Sequence, residues 1–220
     1  MPRAWGAGGE AMAAAAFLAL PYAEAAVVEA DSLAEQSLLV AAALPGCPLV
    51  LGGCCCSHVG AVEGLAARGG RLALVWLDAH GDLNTPESSP SGNAWGMPLR
   101  MILDGGAVAP EDVALVGARN LDPPELEYLA ASPLHRGLDA VERALAGVDA
   151  VYVALDADSV APGELACVMP EPDGIGLDEL EQLLRDAAGR VAVAGLGFSG
   201  LLPDPANEPE LARLAAALGL

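Results

Sequence analysis

The stretch "RLALVWLDAHGD", residues 71–82, carries the argument for the fold. Its run of Leu, Ala, Val and Trp shows no polar alternation, so it reads as a strand covered on both faces. It then breaks into Asp78, His80 and Asp82, three potential metal ligands at every second position.

Four more runs share this character: "CPLVLGG" (47–53), "DVALVGAR" (112–119), "DAVYVALDAD" (149–158) and "RVAVAGLGF" (190–198). Each is short, apolar and bounded by Gly, Pro, Arg or Asp. Helical patterns lie between and around them. "SLAEQSLLVAAAL" (32–44) begins with Ser32 and Glu35 at capping-box spacing, and "HVGAVEGLAARGG" (58–70) stops on glycine. "GLDELEQLLRDAAG" (176–189) and "DPANEPELARLAAALG" (204–219) also have helical periodicity. Strands alternating with helices predict an α/β fold of three layers, a parallel sheet with helices on both faces. Such sheets bind ligands beyond the carboxyl ends of their strands. Polar residues gather at those ends here. Cys54 to Cys56 follow the first strand, Asp78, His80 and Asp82 the second, Arg119, Asn120 and Asp122 the third, and Asp156 and Asp158 the fourth.

The totals agree with one domain over residues 1–220, since single cores commonly reach about 200–250 residues. An apolar content of 54% against 18% charged residues provides a sizeable core and excludes wholesale disorder. A formal net charge of −20 argues against a nucleic-acid partner. The five cysteines, Cys47, Cys54, Cys55, Cys56 and Cys167, are odd in number and three are consecutive, which fits a reducing compartment and predicts a cytoplasmic protein. "AMAAAAFLAL" after Arg3 loosely imitates a secretory signal, but Glu10 interrupts the pattern. No apolar run reaches the roughly 18 residues needed to span a bilayer, so no membrane partner is expected.

At the exit of an extended strand, residues i, i+2 and i+4 point the same way, so Asp78, His80 and Asp82 could face one point. Asp156 and Asp158 repeat the arrangement. Either cluster alone also fits turn residues and helix caps. Two clusters at equivalent strand ends favour cations, because burying an unpaired carboxylate costs several kcal/mol. An oxygen-rich set with one imidazole suits Mn, Mg or Fe(II). Four carboxylates can hold two ions about 3.5–4 Å apart, which can share a nucleophilic hydroxide.

Four ordered segments resemble the arginase (ureohydrolase) family. "DAHGDLNTPESSPSGNAWG" is similar to its DAHxDxNTPxxxxSGNxHG segment, "LDADSVAP" to DxDxxDP, "LGGCCCSHVGA" to GGDHSxxxG and "GARNLDPPE" to RDxDPxE. The resemblance implies an arginase-like fold and two Mn2+ per chain. Asp78 and Asp156 would bridge the ions, with Asp82 completing one shell and His80 and Asp158 the other; Asp78, Asp82 and Asp156 would carry catalysis. Asn84, Ser89 and Ser91 would recognise a substrate α-carboxylate, and Asp122 its α-amine, with Asn120 behind it.

Four positions depart from that pattern. The histidine ligand of GGDHS falls on Cys55, which a metal would deprotonate and which takes the missing ligand position; His58, three residues later, is the competing candidate. Cys54 replaces the motif's Asp. Trp95 stands where the proton-shuttling histidine belongs, and indole does not titrate. Neither Ser199 nor Gly200 is the acid expected to bind a guanidinium, leaving Glu171 as a possible substitute. Cys55 together with loss of the shuttle resembles the Nω-hydroxy-L-arginine hydrolases of D-cycloserine biosynthesis. The expected function is therefore hydrolysis of Nω-hydroxy-L-arginine to hydroxyurea and L-ornithine by a metal-bridging hydroxide. The alternatives are another ureohydrolase, such as an arginase or formiminoglutamase, and a non-catalytic metal-binding relative. The family's first strand is not evident before residue 30 and its trimer-packing extension looks absent, so a monomer is expected.

Overall fold

A computed structural model describes residues 5–7 and 9–220; Arg3 lies outside them. Six parallel strands form one sheet in the order β1-β6-β5-β2-β3-β4. They are β1 (Leu49–Leu51), β2 (Leu72–Leu77), β3 (Val113–Val116), β4 (His135–Arg136), β5 (Ala150–Asp156) and β6 (Ala192–Ser199). The helices are α1 (Glu10–Ala15), α2 (Leu33–Ala43), α3 (Ser57–Ala66), α4 (Pro98–Asp104), α5 (Pro123–Ala131), α6 (Ala140–Ala144), α7 (Leu177–Ala188) and α8 (Asn207–Ala217).

The continuous apolar runs are explained by two buried faces. In β2, Leu72, Leu74 and Trp76 pack with α3, α4 and Val40 of α2, while Ala73, Val75 and Leu77 pack with α6, α7 and α8. The strand alternates faces, as the pleat requires, but both faces are dry. The expected α/β architecture, with helices on both sides of a parallel sheet, is the one observed.

The strand order contains a switch point. From β2 the chain moves outward through α4 to β3 and β4; from β5 it moves the opposite way through α7 to β6. Strands β2 and β5 are neighbours, so their exits diverge and leave a crevice between them, the usual ligand position in an open parallel sheet. Asp78 and Asp156 stand at those two exits.

Two local findings differ from the sequence reading. A sixth, two-residue strand, β4, extends the β3 edge. The signal-like stretch contains the short helix α1, whose Met12 is buried. Among the described residues no helix is long and apolar enough to cross a membrane.

Candidate metal centre

The register of β2 and β5 pairs Leu77 with Leu155, so Asp78 and Asp156 begin their loops side by side. Asp156 in turn pairs with Ser199 at the end of β6. Residues 78–82 do not leave β2 as an extended row: Asp82 adopts a left-handed conformation (φ 53°). Asp82 therefore reaches the crevice through a turn, not through strand alternation.

Two sets of ligand atoms come together. Atoms of Cys55, Asp78 and Asp156 lie within 4.8 Å of one another, and so do atoms of Asp78, His80 and Asp158. Asp78 belongs to both sets. Cys55 Sγ lies 2.8 Å from Asp156 Oδ2 and 3.6 Å from Asp78 Oδ2. His80 Nδ1 lies 3.0 Å from Asp158 Oδ2 and 3.4 Å from Asp78 Oδ1. Asp82 belongs to neither set, yet its buried Oδ2 has no hydrogen-bond partner, an orphan acceptor beside the other acids.

The backbone fixes the carboxylates. The His80 N–H donates to Asp78 Oδ1 at 2.7 Å, and the Trp76 indole donates to Asp78 Oδ2 at 3.2 Å. The Asp158 N–H donates to Asp156 Oδ1 at 3.1 Å, and the Ala79 N–H to Asp158 Oδ1 at 3.0 Å. The last bond ties the β2 loop to the β5 loop. Arg119 does not neutralise these acids; its guanidinium donates to the main-chain oxygens of Gly117, Asp158, Glu171 and Pro172.

The electrostatics show what the cluster lacks. Burial, reinforced by the Asp158 charge, raises Asp156 to about 6. Burial and the charges of Asp78 and Asp156 hold Asp82 well above the carboxylate range. Burial and the same acids push the Cys55 thiol far up. For His80, burial lowers the pKa, but hydrogen bonds to Asp158 and Asp78 outweigh it and raise it to about 12. Bound divalent cations would reverse each of these preferences, since they favour thiolate and carboxylate and displace the imidazolium proton. Four carboxylates, one thiol and one imidazole, one oxygen of them unpartnered, fit such ions.

A cavity of about 270 Å³ opens onto the cluster. It is lined by every residue predicted for substrate contact: Asn84, Ser89, Ser91, Asn120 and Asp122. Asn84 Nδ2 donates to Asp122 Oδ2 at 2.8 Å, and Ser88 Oγ donates to Asn84 Oδ1 at 2.9 Å. Ser89 and Ser91 place their hydroxyls 3.4 Å apart on the rim. Asp122 caps α5, and Glu125 closes a capping box there while also accepting from the Leu83 N–H. Asn120 lines the same cavity as Asp122. Its amide donates to Glu171 Oε1 at 2.9 Å, and the same oxygen lies 3.7 Å from His80 Nε2. Glu171 thus sits on the outer side of His80, where it can orient the ring.

The cavity lining also includes the apolar side chains of Met12, Trp95, Val168 and Met169. Trp95 lies against the N-terminal segment: a Cβ on Gly6 would come within 2.6 Å of its ring. Gly200 has φ +70°, and a Cβ there would fall 2.1 Å from Asp156 Oδ1, so the position where an acid was sought admits no side chain.

His58 is the other residue that sequence reasoning kept open as a ligand. It is fully buried one layer behind the acids, with Nε2 3.2 Å from Ser199 Oγ and Nδ1 3.0 Å from Tyr152 OH. It belongs to neither ligand set, whereas Cys55 faces the crevice. Tyr152, like Trp76, carries no signal in the sequence beyond membership of a strand, and Ser199 stands out there only as a position that lacks an acid.

Residues 18–220 match the arginase family. The chain is 36% identical over 198 residues to an arginase of Bacillus caldovelox, an alignment covering 78% of this chain and 66% of that protein. It is 35% identical over 142 residues to an arginase of Staphylococcus aureus, covering 53% of this chain and 47% of the relative. The chain therefore spans about half the length of some curated relatives that it matches. The solved structure of the Bacillus caldovelox arginase superposes with a TM-score of 0.74 over 91% of this chain and 82% of that one, at 27% identity.

Proposed function

The chain belongs to the arginase family, and from that premise we propose that it is a binuclear manganese amidinohydrolase that splits Nω-hydroxy-L-arginine and water into hydroxyurea and L-ornithine. In this reading residues 1–220 act as a single domain and a monomer in the cytoplasm. Cys55, Asp78, Asp82 and Asp156 would hold one ion, and Asp78, His80, Asp156 and Asp158 the other. Bound there, two divalent ions supply Lewis acidity and make water a nucleophile near neutral pH.

The chain's own residues supply the rest. Asn84, Ser89 and Ser91 offer amide and hydroxyl donors to an α-carboxylate, and Asp122 offers an acceptor to an α-ammonium. Held at that end, an extended amino acid directs its terminal group toward the acids. The observation that carries the substrate choice is the apolar share of the cavity lining, where the family pattern expects an acid. Met12, Trp95, Val168 and Met169 line the cavity, and Gly200 leaves no room for an acid beside Asp156. Such a lining desolvates a guanidinium without pairing it, which is costly. An Nω-hydroxyguanidine is far less basic and can enter uncharged. It also asks less of a general acid, consistent with Trp95 in place of a titrating group.

The deciding experiment incubates Mn-loaded protein with L-arginine and, separately, with Nω-hydroxy-L-arginine and measures ornithine. The hydroxylated substrate is expected to turn over at least 10-fold faster, since a lost charge-assisted contact is worth about 1.5–3 kcal/mol. Turnover of arginine alone would reject the substrate, and turnover of neither would reject the enzyme.

The amino-acid grip has its own test. Asp122→Asn is expected to raise KM roughly 10- to 100-fold with a smaller change in kcat, because it removes a charged contact to the substrate amine. Asn is as good an N-cap as Asp, so α5 should remain intact by circular dichroism. An unchanged KM would remove Asp122 from the binding site.

A further inference from the structure

We infer that His58, Ser199 and Tyr152 form a one-way chain of hydrogen bonds that positions Asp156 and Cys55 for metal binding, with His58 as the link that passes its direction from Ser199 to Tyr152. The inference rests on the metal reading of the site, but not on the identity of the substrate.

The direction follows from proton counting. Ser199 Oγ lies 3.0 Å from Asp156 Oδ2. An ionised carboxylate can only accept, so the single serine proton points at Asp156. Ser199 must then accept from His58 Nε2, 3.2 Å away, which makes Nε2 the protonated nitrogen of a neutral ring. His58 Nδ1 is left as an acceptor, and the Tyr152 hydroxyl donates to it at 3.0 Å. Every polar atom in the chain is satisfied in one arrangement.

The chain is also locked in space. A Cβ on Gly197 would lie 2.3 Å from the Tyr152 hydroxyl and 2.6 Å from ring atoms of His58, so the pair fills the space this glycine leaves. The Trp76 ring packs edge-on against His58 at 5.5 Å, and its indole holds Asp78. His58 and Tyr152 are both 0% exposed, so the chain leads nowhere that a proton could leave. It holds groups still and does not shuttle protons. What it holds is specific: Ser199 Oγ is 3.2 Å from Cys55 Sγ as well as within reach of Asp156, so one hydroxyl is in contact with two of the three groups of the cysteine-containing set.

The test uses cobalt(II) binding to the full chain, followed by titration and by the thiolate-to-cobalt charge-transfer absorption; Cys55→Ser identifies the band by abolishing it. Ser199→Ala and His58→Ala are expected to weaken cobalt binding on the order of 10- to 100-fold, the usual effect of removing a partner behind a ligand, and to shift the band. His58→Gln should recover most of the affinity, because its amide nitrogen can take the place of Nε2 as donor. Tyr152→Phe should move both readouts the same way by less. Folded Ser199→Ala and His58→Ala proteins with unchanged affinity and spectrum would overturn the inference, as would a His58→Gln protein no better than His58→Ala. If His58→Ala does not fold, Ser199→Ala and Tyr152→Phe decide. A wild-type chain that binds no cobalt overturns the metal reading and the chain with it, whereas normal wild-type binding with unaffected variants overturns the chain alone.

Discussion

Asp156→Asn is expected to reduce turnover by at least about 10³-fold, the upper end of what one preorganised electrostatic contact contributes, and to lower bound manganese below two ions per chain. Asp156 stands at the end of β5, shares the crevice with Asp78 and accepts from both Ser199 Oγ and the Asp158 N–H. Asn matches its shape and keeps one acceptor for the Asp158 N–H, so the loop should survive. What goes is a negative charge among cations. Without metal the same change should stabilise the protein near pH 7, because it removes an acid that burial and Asp158 push up to about 6. Two pK units correspond to about 3 kcal/mol. The variant is thus expected to be inactive yet, once chelated, more stable than chelated wild type, a trade typical of strained functional sites. Metal analysis, steady-state rates and chelated melting curves check the three parts; a variant with full activity and two ions would remove Asp156 from the centre.

Chelated wild-type protein is expected to lose stability as pH rises above about 6.5, and metal is expected to restore it. The sign follows from the proton balance. Asp156 titrates near 6 in the fold against an ordinary 3.8, so between those values the folded chain binds more protons than the unfolded one and stability falls with rising pH. Asp82 and Asp158, also raised by burial, act in the same direction. Buried His58, lowered by desolvation to about 3 against 6.5, acts the opposite way up to about pH 6.5, so the net fall is expected above that value. His80 extends the trend: its folded value of about 12 against 6.5 means that its contribution is complete below 6.5 and drains away above it. Metal at 1,000 times its Kd adds about 4 kcal/mol, worth roughly 8–16 °C in a chain of this size. The gain should be larger at pH 7.5 than at pH 5, where protons compete for the same ligands. Melting curves with and without chelator across this range test this; a chelated Tm that rises with pH above 6.5 contradicts the charge arrangement described above.

Much of this was legible in the sequence because it depends on local pattern. The dry strands β2 and β5 announce themselves by unbroken apolar runs, and their terminal acids follow directly. The two-residue β4 has no such run, since His135 and Arg136 are polar and pair only at the sheet edge. The Asp122–Glu125 capping box is visible in "DPPE" at the right spacing. Other features have no local signature. Asp82 reaches the crevice through a left-handed residue, which no alternation rule anticipates. Glu171 meets His80 across 91 positions of chain, and His58, Tyr152 and Ser199 are brought together only by the neighbouring of α3, β5 and β6. Side chains whose partners are distant in sequence are invisible until the sheet order is known.

The separation of the ligands along the chain has a consequence for how the protein endures. Cys55 and Asp156 are 101 residues apart, and Asp78 lies between them, so ions held by this set would close a loop of nearly half the chain. In that respect bound metal would act as a removable cross-link between the loops that follow β1, β2 and β5. Unfolding would then have to release the ions, and the rate at which they escape would become a clock for the lifetime of the fold.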